Sequence, residues 1–160
     1  MVKTVECPSC ELGIIMCKTA PCILAPLEVR NLLNHDPSLH NFLMIDWWDK
    51  AGKENDPEFY FLSCAIAGYE KKLAPELPTN AEENKSWRKG RCTFLDKNNL
   101  CKLHPLNLKP IQGAAACCKQ THSGFLIHSQ IAHSWDNQQA QELIFELAKI
   151  WRIKLGAENA

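Results

Sequence analysis

The chain has 160 residues, 46% hydrophobic and 22% charged, enough to bury one core and consistent with a single domain over 1–160. Lys plus Arg and Asp plus Glu both total 18, so there is no basic excess of the kind nucleic-acid binding leaves, and no nucleic-acid partner is expected. The longest apolar runs, 12–16 and 42–45, fall far short of the ~20 residues that span a bilayer, so no membrane partner is expected either.

Residues 1–6 lack the basic-then-apolar layout of a secretory signal, which makes the cytoplasm the expected location. Residues 7–22 are irregular and rich in cysteine. Residues 26–34 set Leu27, Leu32 and Leu33 around Glu28 and Arg30, as an amphipathic helix does. Asp36-Pro37-Ser38 breaks the chain and caps a second expected helix through Leu39, Phe42, Leu43 and Trp47. Residues 49–57 are polar and read as a loop. Residues 58–73 suit either state: the aromatics favour a strand, while Leu62, Ile66, Tyr69 and Leu73 keep helical spacing.

Pro75, Pro78 and the charged run 82–85 make 73–90 a loop. Segments 91–96 and 100–104 flank Lys97-Asn98-Asn99 as the arms of a hairpin. Residues 113–116 are small and permit close passage of the chain, and 123–135 carries apolar residues at helical intervals. The clearest element is a C-terminal amphipathic helix over about 137–155. Its stripe is Leu143, Ile144, Leu147, Ile150 and Trp151, and Gly156 is its expected stop. The sum predicts a mainly α fold with a small β-hairpin, an irregular α+β domain organised around a cysteine metal site.

Nine cysteines cannot all pair internally, and in a reducing compartment such a set points to metal or redox chemistry. One block holds Cys7, Cys10, Cys17 and Cys22; the other holds Cys92, Cys101, Cys117 and Cys118. Cys64 lies between them in an apolar run and reads as a small buried core residue. Cys7-x2-Cys10 lets two thiolates converge from one turn, a spacing shared by zinc and iron–sulfur sites. Prolines around Cys22 argue against a helix that simply buries the sulfurs. The proposed hairpin brings Cys92 towards Cys101. His104 and His122 follow Cys101 and Cys118 at short ligand spacings and are secondary candidates. The carboxylates Asp46, Asp49, Glu54 and Asp56 read as a solvated loop, and no HExxH, phosphate-binding glycine loop or GxSxG elbow is present.

The order of motifs resembles the YkgJ-type cysteine-cluster family, described as a zinc- or iron-chelating domain with a CxxCxxCC signature. The resemblance runs from about Cys7 to Cys118. It takes in the N-terminal cysteines, Leu27-Glu28-Val29-Arg30, Gly90-Arg91-Cys92-Thr93-Phe94-Leu95-Asp96, Leu100-Cys101-Lys102-Leu103-His104, the Lys109-Pro110 step and the late cysteines. It implies chelation, with the intervening helices bringing the clusters together.

The expected function is therefore metal binding, with zinc or iron, including an iron–sulfur cluster, held by the two cysteine blocks. An enzyme with a metal-dependent or redox centre would instead need an open Cys/His coordination position. A third reading is an interaction protein stapled by structural zinc, with Trp47-Trp48 and the last helix as its surface.

Overall fold

The computed structural model describes residues 17–76, 89–116 and 121–156, excluding the side chains of 114–116 and 121–126. Cys7, Cys10, Cys117, Cys118, the side chain of His122 and the charged run 82–85 lie outside the described residues.

Helix α1 is Pro26–His35, with proline in its first turn and the Glu28 carboxylate accepting from the Ala25 N–H at 3.3 Å. Val29 and Leu32 face the core, while Leu27 is 65% exposed, so the buried stripe is narrower than its leucines suggest. Pro37 holds Asp36 extended and ends the helix. Asp36 then accepts from the Ser38 N–H at 2.9 Å and caps a 3-10 turn, Pro37–Phe42.

The helix expected through Trp47 does not form. Leu43–Asp49 is strand β1, paired antiparallel with β2, Pro57–Cys64, from Leu43 opposite Cys64 to Trp48 opposite Phe59. β1 is also bordered on its other side by residues 71–74, through Ile45 N to Lys72 O (3.0 Å) and Ala74 N to Ile45 O (2.7 Å). A strand covered on both faces need not alternate, so Leu43, Met44, Ile45, Trp47 and Trp48 match helical and strand templates equally well. Asp46, read as loop, is instead a buried position of β1 that accepts from the Trp47 N–H. The ambiguous run from 58 is a strand as far as Cys64.

With 38% helix and 18% strand the domain is α+β, which corrects the mainly α expectation. The hairpin of this fold is β1–β2. The segment expected to be one, 91–104, forms a pair of turns held by a single bridge between Leu95 and Cys101.

Three helices follow: α2 (Ile111–Ala116), α3 (Thr121–His133) and α4 (Gln138–Trp151). Asn137 caps α4 by accepting from the Ala140 N–H at 2.9 Å. The helix stops at Arg152, which takes left-handed backbone angles, four residues before the glycine expected to end it. Its buried face is Ala140, Ile144, Leu147 and Ala148; Ile150, expected in the stripe, is 64% exposed. Gln141 fastens α4 to β2, giving and accepting hydrogen bonds with the Tyr60 backbone at 2.8 and 3.1 Å. Trp47 is buried, and half-buried Trp48 stacks on Phe59. Among the described residues, no helix is long and apolar enough to cross a membrane.

Candidate metal centre

The cysteine segments are joined by backbone hydrogen bonds before any side chain is considered. The stretch 22–24 lies along the end of β2, with Leu24 N bonded to Leu62 O (3.0 Å) and Cys64 N to Cys22 O (2.9 Å). One residue further on, the chain pairs with 91–93, through Thr93 N to Ala65 O (2.9 Å) and Ala67 N to Arg91 O (2.8 Å). Cys92 N reaches Cys17 O at 2.7 Å and Gly90 N reaches Thr19 O at 2.8 Å, closing the ring of segments. Gly90 is required at this crossing, because a Cβ there would stand 2.3 Å from Cγ2 of Ile66.

Cys92 and Cys101 open two turns of the same design. In each, the N–H three residues on bonds back to the cysteine carbonyl at 3.1 Å: Leu95 to Cys92 and His104 to Cys101. In each, the sulfur accepts backbone N–H groups from two and three residues ahead. These are Phe94 and Leu95 for Cys92, and Leu103 and His104 for Cys101. Such converging N–H dipoles favour the thiolate over the thiol. The link between the turns is fixed by Asp96, whose carboxylate accepts from Asn98 N (2.7 Å) and Leu100 N (2.9 Å), while Asn99 takes the left-handed conformation.

Cys22 reaches this pair from the other block. The residue is half-buried, but its sulfur points inward against Gly113, where an added Cβ would lie 3.0 Å from Sγ and 3.3 Å from Cε of Lys109. Burial pushes the Cys22 thiol well up, and the neighbouring Cys17, Cys92 and Cys101 add to the rise, with Lys109 opposing it. Burial likewise raises Cys101, against its two N–H donors and Lys109. Cys92 is lowered, chiefly by a side-chain hydrogen bond from Cys64, then by its own N–H donors and Arg91. Cys64 is raised well above the ordinary thiol range by the neighbouring Cys92 and by burial.

Glu28 and Gln112 brace this centre. Glu28 bonds Ala25 N and, at 3.0 Å, Ile111 N, tying α1 to α2. Buried Gln112 accepts from Ile23 N at 2.6 Å and contacts Nδ1 of His128 at 2.9 Å. Burial lowers His128 to about 4.

The structure thus brings together Cys17, Cys22, Cys92 and Cys101 of the sequence-derived set, and adds Cys64. His104 is half-buried and meets the centre through its backbone N–H. All five described cysteines are free thiols. As the side chains stand, no three His, Cys, Asp or Glu groups among the described residues converge tightly enough to hold a metal ion. The donor set still suits a thiophilic metal. Several thiols are crowded where their charges raise one another, two carry N–H donors, and basic side chains lie close by. A bound cation relieves such crowding and deprotonates the thiols. Cys64 is buried in the core, as its apolar run predicts. Sequence reasoning missed Gln112, because its role depends on which distant segments lie beside it. Compared with family models, with curated proteins and with solved structures, the chain finds no match in any of the three.

Proposed function

We propose that this protein binds a metal, zinc or an iron–sulfur cluster, through thiolates of its two cysteine blocks, in the manner of the YkgJ-type family it resembles. The observation that carries the reading is the pair of matched turns at Cys92 and Cys101. Each aims two N–H groups at its sulfur, and both lie within electrostatic reach of Cys22 and its inward-facing sulfur. Hydrogen bonds of this kind fix a ligand's orientation and tune the metal it holds. Arg91 and Lys109 offset the negative charge that a thiolate-bound centre keeps. Cys17 and Cys22 contribute from the first block, and Cys7, Cys10, Cys117 and Cys118 belong to the same proposed set.

Elemental analysis and the visible spectrum of protein purified without oxygen test the reading. Stoichiometric zinc in a colourless sample, or iron and sulfide in a brown one, is the expected result. Less than about half an equivalent of either metal, with thiols that titrate readily, contradicts it.

A further inference from the structure

Two cysteines stand directly opposite one another where β2 ends. Ile23 and Ser63 form an antiparallel bridge, through Leu24 N to Leu62 O (3.0 Å) and Cys64 N to Cys22 O (2.9 Å). The register therefore sets Cys22 across from Cys64. Opposed residues of an antiparallel pair present their side chains on one face. Their Cα atoms lie ~5.5 Å apart where backbone bonds join them, and their Cβ atoms ~4.5–5.5 Å. Cys92 and Cys101 are bridged too, but to Ile66 and Leu95, which carry no sulfur. We propose that Cys22 and Cys64 are a redox-modification site, closed by hydrogen peroxide into an intramolecular disulfide.

The backbone meets the geometric requirement. Disulfides join residues whose Cα atoms lie ~4.4–6.8 Å apart, and this pairing falls near the middle of that span. Their Cβ atoms come within ~3.5–4.5 Å, so the segments must close by about 1 Å. Closure that shifts paired segments leaves the bond easier to reduce, as a reversible modification requires. The two residues differ in access: Cys22 is half-buried, whereas Cys64 is 2% exposed. Cys22 therefore meets the peroxide. Its sulfur attacks one peroxide oxygen, the O–O bond breaks, and a sulfenic acid and one water form. The Cys64 sulfur then attacks the Cys22 sulfur. The S–O bond breaks, the S–S bond forms, and the hydroxyl leaves with the Cys64 proton as a second water. Two thiols are oxidised by two electrons in all, and the peroxide is reduced to water. Burial raises the Cys22 thiol and slows the first step, which keeps the pair reduced until peroxide persists.

Full-length reduced protein, either as purified or after chelation, is treated with hydrogen peroxide. Remaining thiols are alkylated and the unreduced peptides mapped by mass spectrometry. The expected result, in either preparation, is a peptide pair joined through Cys22 and Cys64, lighter by two hydrogens than its parts and separated by reductant. In Cys64→Ser the second step is lost, so Cys22 accumulates as a sulfenic acid that dimedone traps severalfold more than in wild type. Should that variant not fold, the wild-type map alone decides. Cys22 and Cys64 recovered as free thiols from both preparations overturn the proposal, as do crosslinks that join either residue mainly to another cysteine. The bond does not depend on metal. Protein that purifies without metal and still forms it contradicts the metal-binding reading and supports this one.

Discussion

Acid should loosen this protein through His128 as pH falls from 6.5 towards 4. The backbone N–H of Ile23 takes the oxygen of the Gln112 amide, so the NH2 end faces His128 and its Nδ1 must accept. A proton at Nδ1 would set donor against donor in a buried place. Burial holds His128 at about 4, against 6.5 for the free side chain. The unfolded chain therefore binds more protons between these values, and stability falls as pH drops from 6.5 towards 4. At pH 5 the difference between the two states is ~2 kcal/mol, growing to ~3 kcal/mol once pH is below 4. Denaturant unfolding of wild type and His128→Gln at pH 7.5 and pH 5 is the assay. Protonation of the cysteine centre affects both proteins, so subtracting their pH dependences isolates His128. Wild type should lose ~2 kcal/mol more than the variant. Equal losses would refute the assigned hydrogen-bond string and its bracing of the Cys22 segment.

Gly90→Ala drives a methyl group into Ile66 at the crossing of the cysteine segments and should cost roughly 1–3 kcal/mol, read by denaturant midpoint, with weaker metal retention. Unchanged stability would mean the segments cross differently. The Ser63 hydroxyl is buried without a hydrogen-bond partner among the described residues, so Ser63→Ala should be neutral or stabilise by up to ~1 kcal/mol. A marked loss in thermal unfolding would reveal a partner for it. Verified metal removal by a strong chelator should lower the thermal midpoint, since metal held by the folded state alone adds to folding free energy. An unmoved midpoint would place the metal outside the core.

Helices α1 and α4 are readable from sequence because local signals agree: Pro26 and Asp36-Pro37 bound the first, and Asn137 opens the second. Strand β1 is not. Leu39, Phe42, Leu43 and Trp47 fall at helical intervals, and only the pairing of 43–49 with β2 and with 71–74 decides the matter. Tertiary context overrides local periodicity in such a run. At the centre, Lys97-Asn98-Asn99 betrays the turn that carries Cys92 and Cys101, a local feature. The backbone bonds that lay the end of β2 beside 22–24 and 91–93 join residues that no local pattern links. The small tract after Pro110 shows close passage in the sequence, and the structure identifies what passes: the Cys22 sulfur beside Gly113.

X-ray absorption at the metal edge of protein purified without oxygen tests the central claim most directly, since it reads the donor atoms themselves. Sulfur neighbours at ~2.3 Å, about four per metal ion, are the expected result. A shell of oxygen or nitrogen alone at ~2.0–2.2 Å would contradict it, and would place the metal elsewhere than among these cysteines.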